Sequence, residues 1–172
     1  AYALSRGDAP GDAELEAIVA RYFAHYAATL GERSTPYPGV VEGLGRLRAA
    51  GFPLAVVTNK ASRFVQPHLD RTAFAGWFDA IVGGDDAGAK KPDAAPLALA
   101  AARLGVDVRR VLMVGDSGND VACARAAGAP VVVVPYGYRE GRAVQDLAAD
   151  AIVNSLDELP ERVAVRRTPD SR

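Results

Sequence analysis

The apolar run Val111-Leu112-Met113-Val114 ends on Gly115-Asp116-Ser117-Gly118-Asn119-Asp120, and a small-residue stretch, Val121 to Ala127, follows and is closed by Gly128. A short apolar run bounded by turn residues predicts an interior strand of a parallel sheet, buried on both faces. Parallel neighbours need long crossovers, so such a strand commits the chain to alternating strands and helices. In open parallel sheets ligands bind beyond the carboxyl ends of the strands. The run therefore delivers Asp116 to the place where such folds do chemistry, with Asp120 in the first turn of the next helix. Hard cations such as Mg²⁺ take carboxylate oxygens, usually together with a substrate phosphate. Without a metal, the same residues read as a strand followed by a helix with a polar cap.

The rest of the chain supplies the alternation. Strands are expected near Leu54–Thr58, Ala80–Gly83, Val111–Gly115, Val131–Pro135 and Ala151–Val153. Helices are expected over Val40 to Ala50, Ser62–Asp70, Asp93–Leu104 and Gly118–Ala127. The fold class is α/β, a parallel sheet with helices on both faces. Ahead of it, Ala13 to Leu30 carries Leu15, Ile18, Val19, Tyr22, Phe23, Tyr26 and Leu30 at helical spacing. Arg33 to Gly39, with two prolines, reads as a stiff hinge. Residues 1–10 and the tail from Arg166 to Arg172 are expected to be loose. The net charge of −1 gives no broad attraction to nucleic acid, and no apolar run reaches membrane length. A single cysteine, Cys123, excludes an intrachain disulfide and reads as a core filler. The expected location is cytoplasmic.

Two further stretches bring chemistry to strand ends. Pro53-Leu54-Ala55-Val56-Val57-Thr58-Asn59-Lys60 ends in a hydroxyl and an amide. Gly83 to Asp93 is a glycine-bearing loop that carries Lys90 and Lys91 into Pro92 and a helix start. A hydroxyl, a lysine and a metal-binding carboxylate at neighbouring strand ends can hold a phosphoryl group and balance its charge. Taken singly, Thr58-Asn59 also reads as a strand end with a helix cap, and Asp93 as the N-cap of the helix it opens. His25 and His68 are lone helical histidines and receive no role.

The ordered set Val-Thr-Asn-Lys, Lys-Pro-Asp-x-x-Pro-Leu and Val-Gly-Asp-Ser-x-x-Asp resembles motifs two, three and four of the haloacid dehalogenase superfamily, most closely its phosphoglycolate phosphatase branch. The match runs from about Tyr37 to about Pro160. It implies a Rossmann-like core over residues 37–172 with its first strand missing, and the remnant of a helical cap over residues 1–36. It also implies a Mg²⁺-dependent hydrolase of a small phosphorylated metabolite, acting on neither nucleic acid nor membrane. By resemblance Thr58 and Asn59 hold the phosphoryl group and Lys91, rather than Lys90, balances charge. Asp116 and Asp120 serve the metal, Asp120 either directly or through a bound water. Phosphosugar phosphatases and β-phosphoglucomutases share these motifs. The family's nucleophile sits in Asp-x-Asp-Gly-Thr on the first strand, and Asp-x-Asp occurs nowhere in the 172 residues. The expectation is that these residues form the C-terminal portion of a longer enzyme; a non-catalytic fragment that acts only by binding is the reading of another class.

Overall fold

The computed structural model describes residues 11–138, 141 and 143–163, so the expectations for residues 1–10 and for the tail lie outside the described residues. Five short strands alternate with helices: β1 (Ala55–Val57), β2 (Ala80–Val82), β3 (Met113–Gly115), β4 (Val131–Val133) and β5 (Ala151–Ile152). The main helices are α1 (Asp12–Thr29), α2 (Val40–Ala49), α3 (Val65–Asp70), α4 (Ala95–Arg103), α5 (Gly118–Ala127) and α6 (Leu159–Arg162). Every strand pair is parallel, as the apolar runs predict.

Period-two alternation along β4 sorts its valines between two cores. Val131 and Val133 point into a cluster with Leu97, Met113, Val121 and Cys123, under α4 and α5. Val132 and Val134 join Leu47, Val153, Leu156 and Leu159, under α2 and α6. Helices therefore cover both faces of the β3–β4–β5 sheet, and Cys123 is the core filler its small-residue surroundings predicted. Full burial of each such valine is worth about 1.5–2 kcal/mol over leaving it exposed.

The sheet is split. β1 pairs with β2, and β3 pairs with β4 and β4 with β5, but no ladder joins the two groups among the described residues. The break falls between the strands ending at Thr58 and at Gly115, where the superfamily resemblance puts a further strand. A groove separates the two half-sheets there.

Two local expectations are corrected. Residues Ser62–Phe64 form a tight 3₁₀ turn before α3 rather than part of one continuous helix. Asp93 is not the N-cap of α4; Ala94 is, and the Asp93 carboxylate accepts from the Ala95 N–H at 2.8 Å. Pro96 sits in the first turn of α4, where its missing N–H costs nothing, and that sets where the helix begins.

Helix α1 buries none of its residues, and Leu15, Val19 and Tyr22 are exposed. It is held from one side only. Phe23 stacks on Phe64 and Tyr26 meets it edge to face, with ring centroids 5.6 and 5.0 Å away. The Arg71 guanidinium donates to the Ala27 and Leu30 carbonyls at the helix C-terminus, where a cation suits the helix dipole. Lys60 turns toward this helix, with Nζ 3.1 Å from His68 Nδ1 and 5.7 Å from the Tyr26 ring centre.

Candidate active site

A cavity of about 420 Å³ opens where the carboxyl ends of β1 and β3 face each other, lined among others by Val57, Asn59, Lys91, Asp116, Ser117 and Asp120. The sequence-derived residues Asn59, Lys91, Asp116 and Asp120 thus meet at one place. Thr58 does not line it. Its N–H continues the ladder to Val82, and its hydroxyl accepts from the Lys60 N–H. Lys90 is exposed and stands outside the cavity.

Asp120 is the organising carboxylate. It is 4 % exposed. Its Oδ1 takes Lys91 Nζ at 2.7 Å, and its Oδ2 accepts from the Asp116 and Ser117 N–H groups and the Ser117 hydroxyl. Serine at the N-cap with an acid three residues on makes a capping box, so one carboxylate finishes α5 and folds the Asp116 turn over it. Gly115 lets this happen, because a Cβ there would overlap the Asp120 side chain. Burial alone would raise the Asp120 pKa. The Lys91 charge and the donated hydrogen bonds outweigh it and hold the carboxyl below its usual range.

Asp116 has the opposite character. Half-buried at the end of β3, it is pushed above the usual range by desolvation and by the neighbouring Asp120 charge, while the Tyr138 N–H works against the shift. That N–H donates to Asp116 Oδ2 at 2.8 Å. Among the described residues no backbone or side-chain N–H donates to Oδ1, and Asp116 lines the cavity.

Lys91 joins the two half-sheets. Its Nζ donates to the Val57 carbonyl at the end of β1 at 2.8 Å as well as to Asp120 beyond β3. Asn59 places it: the Asn59 side chain donates to the Lys91 carbonyl and accepts from the Lys91 N–H, both at 2.9 Å. The amide expected on phosphate is therefore spent on holding the lysine backbone.

Sequence reasoning missed three elements of the cavity. Ser117 carried a legible signal, a serine three residues before an acid at a helix start. Tyr37 and Tyr136, whose rings lie 4.6 Å apart at the cavity wall, carried none, because they meet only through the fold.

Two carboxylates and a lysine thus gather at the carboxyl ends of parallel strands, the place where open α/β sheets bind ligands. Residues 8–134 match the haloacid dehalogenase-like hydrolase family, and the chain belongs to that family, on its phosphoglycolate phosphatase-like side. It is 47 % identical over 155 residues to a phosphoglycolate phosphatase of Nitrosospira multiformis, covering 88 % of this chain and 68 % of that protein. The crystal structure of a predicted phosphoglycolate phosphatase from Haemophilus somnus superposes with a TM-score of 0.85 at 30 % identity, over 93 % of this chain and 71 % of that one. CbbY from Rhodobacter sphaeroides, in complex with phosphate, gives 0.75 at 26 % identity over 88 % and 68 %. The chain spans 60 to 68 % of the length of the phosphoglycolate phosphatases it matches.

Proposed function

We propose that these residues form the core of a Mg²⁺-dependent phosphomonoester hydrolase whose substrate is 2-phosphoglycolate. The observation that carries this reading is the Lys91 bridge. A lysine 2.7 Å from a buried carboxylate, at the rim of a cavity that also holds a half-free carboxylate, balances charge where phosphate chemistry needs it. The 40 to 47 % identity to phosphoglycolate phosphatases supports that substrate over phosphosugars.

The donor set suits Mg²⁺. Among the described residues no three His, Cys, Asp or Glu side chains cluster. Mg²⁺ is commonly held by one or two carboxylates, keeping several waters and taking substrate phosphate. Asp116 would hold the cation, and Asp120 keeps the Asp116 turn and Lys91 in place. Bound there, the cation would neutralise negative charge on the transferring phosphoryl group. Lys91 adds positive charge beside it, and Asn59 fixes the Lys91 backbone. In this reading the groove between β1 and β3 would take a strand bearing the attacking aspartate, and α1 would belong to a helical cap. The ligand class is a small phosphorylated metabolite.

The test is a substrate panel on the protein expressed from its full open reading frame, with Mg²⁺ present. Turnover of 2-phosphoglycolate at least tenfold above glucose phosphates, measured as kcat/KM, is expected. Preference for a hexose phosphate, or interconversion of its phosphate position, contradicts the substrate assignment.

A further inference from the structure

The loop that leaves β4, Tyr136-Gly137-Tyr138, meets Asp116 twice. The Tyr138 N–H donates to Oδ2. Gly137 lies so close that a Cβ there would overlap the Asp116 Cβ, Cγ and Oδ2. The Gly137 backbone lies outside the left-handed region, so its conformation would accept alanine, and Asp116 is what the added carbon meets. The Tyr136 ring braces the loop against Tyr37. The Tyr138 ring is 76 % exposed, so the amide is the part that faces the site.

We propose that this loop is a positioning element for metal binding: the Tyr138 amide fixes the rotation of the Asp116 carboxylate and occupies Oδ2, leaving Oδ1 for one-oxygen ligation of a cation. This rests on Asp116 being the metal ligand. An amide on a carboxylate is a charge-assisted hydrogen bond, stronger than a neutral one, and it restrains a group that could otherwise rotate. Capping one oxygen also discriminates between cations. Ca²⁺ often takes both oxygens of a carboxylate within a shell of six to eight, whereas Mg²⁺ demands a tight octahedron with waters retained. The loop therefore favours the smaller ion.

Two variants test this, Gly137→Ala and Tyr138→Pro, the second removing the N–H. Each is compared with the parent and Asp116→Asn in protein from the full open reading frame. Mn²⁺ binding is read by electron paramagnetic resonance with inorganic phosphate present, Ca²⁺ is then added as competitor, and the melting temperature is taken without metal. Both variants are expected to lose about 10- to 100-fold in Mn²⁺ affinity, the range found when groups that orient a ligand are removed. Ca²⁺ should compete better than in the parent, and the metal-free melting temperature should fall by no more than a few degrees, as the loss of about 1 kcal/mol would produce, and without tracking the affinity loss. Parental affinity in both variants, while Asp116→Asn has lost it, overturns the inference alone. Parental affinity in Asp116→Asn overturns the metal reading and the inference with it. A fall in melting temperature that tracks the affinity loss assigns the loop a merely structural role and also overturns it.

Discussion

The two half-sheets that meet at the cavity differ in how firmly they are held. In β4 all three residues are buried, Val153 just after β5 is wholly buried, and helices close both faces of that sheet. In β1 all three residues stay partly exposed, and β2 is its neighbour on one side only. The carboxylates rise from the firm half, Asp116 off β3 and Asp120 off α5. Lys91 and Asn59 belong to the looser half, and Lys91, held by Asn59, reaches across to Asp120. Among the described residues the polar link between the halves is Lys91, between Val57 and Asp120, and Leu97 of α4 adds apolar packing to the core under β3 and β4.

Breaking that bridge should have the largest effect. Lys91→Ala leaves Asp120 buried without its counter-charge, which costs about 3–5 kcal/mol where such pairs have been cut. Turnover in the full open reading frame protein should fall more than 100-fold. Lys90→Ala should stay within about 0.5 kcal/mol of the parent, as exposed substitutions do. Urea melts and steady-state kinetics on the pair check both.

The two carboxylates sharpen the comparison, since their stability effects should have opposite signs. The Asp120 pKa is lowered in the folded state, so its contribution is present above the ordinary carboxylate range and is lost as pH falls through the folded value. The Asp116 pKa is raised, so near neutral pH its charge opposes folding, and the penalty disappears as acid protonates it. Asp120→Asn should lower metal-free stability at pH 7 by about 3 kcal/mol, the cost of stranding Lys91. Asp116→Asn should raise it by a few tenths of a kcal/mol, small because the group is half solvated, while nearly abolishing Mg²⁺-dependent turnover. Asp120→Asn should retain more activity and require more Mg²⁺. Chemical melts from pH 3 to 7 on both variants read the signs directly.

Asn59→Ala should have the smallest effect. Two hydrogen bonds to the Lys91 backbone disappear from an exposed position, a loss of about 1 kcal/mol. kcat should fall more than KM rises, because the lysine is misplaced rather than the ligand released. A KM effect alone would return Asn59 to the phosphate.

Much of this was legible in the sequence. Each strand begins within two residues of its expected place, because uninterrupted apolar runs such as Val131 to Val134 suit burial on both faces. The order of Asn59, Lys91, Asp116 and Asp120 along the chain placed them together, since all lie at or beyond the carboxyl ends of parallel strands. What stayed hidden depends on distance contacts. Nothing in Val-Thr-Asn-Lys says that Asn59 spends its amide on Lys91, or that Thr58 turns away into the ladder. The Tyr138 contact to Asp116 spans 22 positions and comes from a loop with no motif. The start of α4 after Asp93 was decided by Pro96, a competition between two valid capping signals.

In the proposed enzyme the two half-sheets supply supporting groups of one phosphoryl-transfer site, and the attacking aspartate would come from a strand seated between them. Turnover of 2-phosphoglycolate with Mg²⁺ should be measured for the 172-residue chain alone and for the same chain preceded by a grafted Asp-x-Asp-Gly-Thr strand. No turnover above background is expected from the first and robust Mg²⁺-dependent hydrolysis from the second, since supporting charges cannot replace a covalent nucleophile. Mg²⁺-dependent hydrolysis by the 172-residue chain alone, with contaminating phosphatase excluded, would contradict this reading.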